Sequence, residues 1–176
     1  MESVKDSKVL TGLFRDRESA ERAYQSVTSR GYTKDDVNLV MSDDTRKRHF
    51  SGTGDVETEL GSKAAEGAGI GAGIGGTLGA IAAAVAAVGT SLILPGIGLV
   101  IAGPLAAAVA GAGAGGLTGG LVGALIGWGI PEERVKHYEQ GIQEGGILMG
   151  VKPRTEEDAR IFEKDWRDNR GEHVYL

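Results

Sequence analysis

The chain lacks cysteine altogether, which excludes disulfide frameworks, thiol catalysis and thiolate metal sites. It also lacks an excess of basic residues, since 24 acidic and 19 basic residues give a net charge of −5. Nucleic-acid binders usually carry a basic patch or stripe, so this class of partner is not expected. The 176 residues leave room for one compact domain with an appendage, or for two small domains, but not for a large multi-domain enzyme.

Charged residues and histidine are missing from residues 67–131, a run of 65 positions that contains 20 of the 30 glycines. Small residues recur there at every fourth position, a period that indicates helix rather than strand or coil. The two rows are Gly67, Gly71, Gly75, Gly79 and Ala83, and then Ala107, Gly111, Gly115, Gly119, Gly123 and Gly127. Between the rows, Pro95, Gly96 and Gly98 indicate a turn. The sequence therefore predicts a glycine-zipper helical hairpin within residues 63–130.

Helices so rich in glycine need an environment that compensates for the cost of glycine. The first arm, residues 67–90, contains eight glycines, and each costs about 1 kcal/mol relative to alanine in a helix interior. A bilayer compensates because unpaired backbone groups are costly in hydrocarbon, and a protein assembly does so because glycine rows let helices approach closely. We expect a membrane-associated hairpin whose second helix begins at Pro104, with Trp128 as an interfacial anchor. The alternative is a soluble ring, cage or filament that buries the hairpins.

The first charged flank, residues 1–62, has the pattern of a β-α-β unit. A β-prone run at residues 9–14 is followed by Asp16, a predicted helix N-cap. The helix is expected to stop at Gly31, because glycine adopts the left-handed conformation that ends helices. A second strand follows, and residues 42–63 are predicted to form a polar connector.

The second flank, residues 131–176, repeats this pattern after an initial helix. A strand is predicted at residues 147–151, then a helix with Thr155 as N-cap and Gly171 as its stop, then a strand at residues 173–176. Two β-α-β halves build a ferredoxin-like sandwich, with helices on one face of a four-stranded sheet. The predicted fold class is α+β: a ferredoxin-like split β-α-β sandwich interrupted by a long Gly/Ala-rich helical hairpin.

Sequence motifs for chemistry are largely missing. Residues 71–76 and 111–116 match G-x-G-x-x-G, but neither has the preceding strand and the later acidic residue that a dinucleotide site needs. The histidines His49, His137 and His173 have no partner at the i+3 or i+4 spacing of a metal pair. We therefore expect surface histidines, no metal site and no cofactor.

Two charged clusters have ordinary structural explanations. The carboxylates at residues 156–158 lie at a predicted helix start, where the helix dipole favours negative charge. The basic cluster at residues 46–49 is predicted to be a solvated loop, with contact to anionic lipid headgroups as the alternative. No nucleophile and base lie at a spacing that indicates catalysis, so we do not expect an enzyme.

Short segments in both flanks match a known bacterial pattern. They are Val9-Leu-Thr-Gly-Leu-Phe14, Ala20-Glu-Arg-Ala23, Gly31-Tyr, Asp36-Val-Asn-Leu-Val40, Gly129-Ile-Pro-Glu-Glu133, Tyr138-Glu, Gly141 and Gly145-Gly-Ile-Leu148. With the Gly/Ala hairpin between them, the chain resembles the general stress protein (heat-induced stress protein) family, in its members with a glycine zipper. The resemblance covers nearly the whole chain and contains no catalytic signature. It implies a bacterial protein of stress survival.

The sequence thus predicts a non-enzymatic structural protein that self-associates through its glycine rows. Its expected partners are further copies of itself and a lipid membrane, and the residues do not indicate a small-molecule ligand. The expected location is a cytoplasmic domain with the hairpin at the bacterial inner membrane, or alternatively a cytoplasmic soluble assembly.

Overall fold

The computed structural model describes residues 8–50, 91–94, 98–104, 106, 123, 125–126 and 129–176. Its elements run along the chain in the order β1 (Leu10–Phe14), α1 (Arg17–Thr28), β2 (Val37–Ser42), α2 (Asp43–Phe50), β3 (Ser91–Leu94), β4 (Leu99–Ala102), α3 (Glu132–Gln143), β5 (Ile147–Val151), α4 (Glu156–Asp168) and β6 (Glu172–Tyr175). The fold class is α+β, as the sequence predicts.

The strands form one antiparallel sheet in the order β3-β4-β2-β5-β1-β6. β5 comes from the second flank, and it pairs with β1 on one side and with β2 on the other. Gly150 of β5 lies opposite Thr11 of β1 and Asn38 of β2. The two charged flanks therefore share one sheet, although 48 residues lie between the end of α2 and the start of β4, and α3 begins later still.

Helices cover both faces of this sheet. Because successive side chains of a strand point to opposite faces, each strand contributes to two cores. The core beside α1 and α4 contains Phe14, Leu39, Met149, Phe162 and Trp166, among others. The core on the opposite face includes Leu13, Val40 and Leu148, and α3 packs there through Val135, Tyr138 and Ile142. We expected helices on one face only; α3 adds a third layer.

The uncharged segment contributes two strands, which the sequence analysis did not expect. β3 pairs with β4 along its whole length, from Ser91↔Ala102 to Leu94↔Leu99, and β4 pairs with β2. These two strands flank the position of the predicted turn, of which Gly98 is described, whereas Pro95 and Gly96 lie outside the described residues. The residues of β4 are buried. The predicted hairpin places these residues between its two helices. Residues 91–94 and 99–102 are rich in Leu, Ile and Val rather than in glycine, a composition that favours strands.

Three of the predicted helix ends are confirmed and one is wrong by one position. Asp16 and Thr155 are N-caps, and each side chain accepts a hydrogen bond from a backbone N–H three residues later. Gly31 has φ +83°, the left-handed conformation expected after α1. After α4 that conformation belongs to Arg170, with φ +62°, rather than to Gly171. Gly171 is required for another reason, since a Cβ there would lie 2.6 Å from the carbonyl oxygen of Trp166.

The predicted polar connector begins with a helix, α2. The Ser42 hydroxyl accepts a hydrogen bond from the Thr45 N–H, which satisfies one donor of the first turn. Asp43 pairs with Arg46 at 2.8 Å and with Lys47 at 2.7 Å. The basic cluster at residues 46–49 is thus helical, with its positive charge in the last turn, where the helix dipole favours it. The predicted solvated loop is wrong at these residues.

Candidate functional site

Most of the residues predicted to pack the hairpin lie outside the described residues. This holds for Gly67, Gly71, Gly75, Gly79, Ala83, Ala107, Gly111, Gly115, Gly119, Gly127, Pro95, Gly96 and Trp128. Gly123 is described; it is helical and exposed. Pro104 and Ala106 are also helical, where the sequence predicts the start of the second helix. Within the described part of the chain, no helix is long and apolar enough to cross a membrane.

The second glycine row is attached to the sheet at both ends. Ala106 lies before it and Leu125 near its end, and both side chains belong to the core on the α3 face, with 4% and 0% exposure. Ile130, 5% exposed, joins the same core just before α3. The chain therefore enters and leaves residues 107–124 from one face of the sheet.

A close backbone contact fixes the exit from β4. Gly103 has φ +95°, and a Cβ at this position would overlap the carbonyl oxygen of Val37 and lie 3.1 Å from the Asn38 Cα. Only glycine combines this φ with an approach so close to the start of β2. The glycine thus holds Pro104, the start of the following helical turn, against the sheet.

A buried carboxylate joins the two flanks on the opposite side of the sheet. Asp158 accepts hydrogen bonds from the Arg30 Nε at 2.6 Å and from the Tyr32 hydroxyl at 2.8 Å. The Tyr32 hydroxyl in turn accepts one from the Arg154 N–H at 2.6 Å. Burial raises the pKa of Asp158, but the hydrogen bonds from Arg30, Tyr32 and Thr155 outweigh this and hold it below its ordinary value. Helix-dipole reasoning explains the position of this carboxylate but misses its role as a link between flanks.

A histidine-lined pocket lies between α3 and β6. Its volume is about 320 Å³, and it is lined by Glu133, Arg134 and His137 of α3 and by His173 and Tyr175 of β6. The rings of His137 and His173 are stacked, with centroids 4.9 Å apart and planes 14° from parallel. The Arg134 guanidinium lies over the Tyr175 ring, 4.3 Å from its centroid. We refer to these five residues as the histidine pocket.

A buried hydroxyl is hydrogen-bonded to the backbone of His173, one of the pocket residues. Tyr138, 0% exposed, donates a hydrogen bond from its hydroxyl to the His173 carbonyl oxygen at 2.6 Å, and Thr11 Oγ1 lies 2.8 Å from the same hydroxyl. Burial raises the pKa of Tyr138, while the hydrogen bond with Thr11 works in the opposite direction. His173 has φ +49°, and the register with β1 shifts beside it. This local irregularity brings the His173 ring against His137.

Sequence reasoning missed this pair. His137 and His173 are 36 positions apart, and no local spacing in the sequence indicates that a helix and a later strand will be neighbours. His49 belongs to α2, elsewhere in the fold. In the part of the chain that the structure describes, no group of three or more metal-ligating side chains is placed to hold an ion, so the histidine pocket provides a pair and not a complete preformed metal site.

Comparisons with protein-family models, with curated proteins and with solved structures find no match to this chain.

Proposed function

We propose that this chain is a non-enzymatic structural protein of the stress response, which self-associates through its two glycine rows at a lipid membrane. The observation that carries the proposal is the attachment of the second row: Ala106 and Leu125 are both buried in the core on the α3 face. The domain thus fixes the residues on either side of the segment 107–124, which supports packing of this segment against other copies.

The physics of glycine supports packing between rows. Each glycine in a helix interior costs about 1 kcal/mol relative to alanine, so a run of them needs an interaction that larger residues would prevent. Close approach of helix backbones is such an interaction. Gly103 illustrates the same use of glycine inside the domain, because it allows the chain to pass directly over Val37.

The proposed architecture is a ferredoxin-like domain interrupted by the glycine-rich segment. Its support is the order β2-β5-β1-β6 with antiparallel neighbours, and the position of α1 and α4 on one face. In this description β3, β4 and α3 are additions to the four-stranded unit. The additions connect the glycine rows to the domain.

A second candidate is a soluble self-assembling particle that buries the glycine rows in its interior. One observation favours it: β4, from the middle of the uncharged segment, is buried in the sheet beside β2. In this candidate, rows of neighbouring copies form seams between domains. The two candidates share self-association and differ in the surroundings of the rows.

Self-association is tested by enlarging glycines within the rows. We expect Gly75→Leu with Gly119→Leu to reduce the oligomer, measured by analytical ultracentrifugation of the full chain, because leucine prevents close approach. The matched control is Thr77→Leu with Thr118→Leu, which adds the same side chain outside the rows. Circular dichroism checks that the domain stays folded. An oligomer of unchanged size in the glycine variant, or equal loss in both variants, contradicts the proposal.

The surroundings of the rows are tested by flotation of a detergent-free lysate on a density gradient. Protein that rises with lipid supports the membrane candidate. Protein that stays at the bottom in large, lipid-free particles supports the soluble candidate. In that case, expression of the protein should not change the permeability of the cell membrane to membrane-impermeant dyes.

A further inference from the structure

We propose that the histidine pocket binds a divalent transition-metal ion of the zinc class, with His137 and His173 as its nitrogen ligands. Imidazole nitrogen suits Zn²⁺, Cu²⁺ and Ni²⁺. The two rings come from different elements, α3 and β6, and line one cavity of about 320 Å³ that is open to solvent. An ion bound there would bridge the helix and the edge strand.

The separation of the rings matches that of a shared ion. With zinc–nitrogen distances of about 2.1 Å and a tetrahedral angle, two imidazoles on one ion have centroids about 5 Å apart. The centroids of His137 and His173 are 4.9 Å apart. Their planes lie only 14° from parallel, so both rings must turn about χ2 to direct a nitrogen at the same point. Both residues are exposed, and this torsion has a broad energy minimum.

An oxygen ligand lies one helical turn away. Glu133 precedes His137 by four positions on α3, so the two side chains share a face of the helix, and both line the pocket. We infer that Glu133 turns toward the ion as a third ligand and that water completes the coordination. Two histidines and one carboxylate are a common ligand set for zinc.

The charges of the pocket favour a cation over an anion. Glu133 is the carboxylate among its lining residues and would repel an anionic ligand. The permanent positive charge is Arg134, and its guanidinium is already placed over the Tyr175 ring at 4.3 Å. This contact places the guanidinium against an aromatic face, an arrangement that stabilises a cation.

The backbone that carries His173 is held in position before any ion arrives. Tyr138 hydrogen-bonds to the His173 carbonyl oxygen at 2.6 Å and is itself bonded to Thr11. Binding sites with fixed ligand backbones lose less entropy when the ion binds. Only side-chain rotation is then required to complete the proposed site.

The test is a titration of the full-length chain with zinc chloride, by isothermal calorimetry and by melting temperature. We expect one ion per chain and a melting temperature that rises with zinc, because an ion bound only to the folded state stabilises it. His137→Ala and His173→Asn are each expected to weaken binding by about tenfold or more. Asparagine is chosen at position 173 because it tolerates the positive φ found there.

His49→Ala is the matched control, since His49 lies on α2 outside the pocket. It should bind zinc as the wild type does, and Glu133→Gln should bind several-fold more weakly. Circular dichroism without zinc checks that each variant is folded; His137→Ala is an exposed helical substitution and provides the test if His173→Asn does not fold. Absence of binding up to millimolar zinc, equal binding by the pocket variants and the wild type, or equal loss in His49→Ala would overturn the proposal. Unchanged binding by Glu133→Gln would overturn the role given to that carboxylate.

Discussion

Replacing Gly103 by alanine tests the unexpected addition of β3 and β4 to the sheet. The new methyl group would overlap the carbonyl oxygen of Val37 and lie 3.1 Å from the carbonyl carbon of the same residue. Favourable contacts between carbon atoms are about 3.5–4.0 Å. The backbone at the β4 exit or at the start of β2 must therefore move, because neither contact involves a flexible side chain.

The expected cost has two components. The positive φ of Gly103, +95°, costs alanine about 1–2 kcal/mol. Displacing a packed backbone costs about a further 1–3 kcal/mol, as in other overpacked cores. We expect the free energy of unfolding to fall by about 2–5 kcal/mol in total.

Gly31→Ala separates the two components. Gly31 has a similar φ, +83°, but a Cβ there would have no described atom within 4 Å. It should lose only the conformational part, about 1–2 kcal/mol. Both free energies are measured by urea unfolding, followed by circular dichroism at a wavelength that reports helix.

The comparison also tests the register of β4 against β2. If Gly103→Ala loses no more stability than Gly31→Ala, the close approach to Val37 does not exist in solution. The pairing of Leu39 with Ala102 would then be wrong, and the predicted helical hairpin would regain its turn at Pro95.

Two further predictions concern the buried polar groups. Asp158, whose burial raises its pKa less than its hydrogen bonds lower it, contributes stability that is present above about pH 4 and is lost as the pH falls through the lowered pKa. Asp158→Asn should flatten this part of the pH dependence of unfolding; parallel curves for the wild type and Asp158→Asn contradict the assignment. Tyr138→Phe removes the hydroxyl that meets Thr11 and should cost about 1–3 kcal/mol in urea unfolding. Tyr175→Phe, at an exposed ring, should cost almost nothing, and equal effects would show that the buried hydroxyl is unimportant.

Several local signals in the charged flanks were confirmed, although α2 and the left-handed Arg170 were not predicted there. Asp16 and Thr155 cap their helices as predicted, because an N-cap bond is formed within four residues and needs no distant partner. Gly31 ends α1 for the same local reason. The strand at residues 147–151 and the buried stripe of α4 also follow from short-range periodicity.

The same signals failed where a distant partner decided the outcome. The Leu/Ile/Val residues at 99–102 have no charge alternation to identify a strand, and their conformation depends on pairing with β2. The prediction treated residues 91–103 as the connection between two helical arms and assigned no strand there.

The candidate site was almost entirely a product of tertiary structure. Neither His137 nor His173 has a local partner, and their meeting depends on α3 packing across the sheet from α1 and on the kinked backbone of β6. Asp158 was visible in the sequence only as a residue in the first turn of a helix, and its bond to Tyr32 spans 126 positions. Spacing along the chain carries no information about contacts of this range.

The sequence by itself determined the α+β class, the starts of α1 and α4 and the division of charge between flanks and centre, because propensity, capping and periodicity act within a few residues. Tertiary structure decided the strand order, the two strands taken from the uncharged segment and the histidine pocket. Each of these depends on how the local elements bury their apolar surfaces against one another. The position of β5 between β1 and β2, which joins the two flanks in one sheet, is an arrangement of this kind.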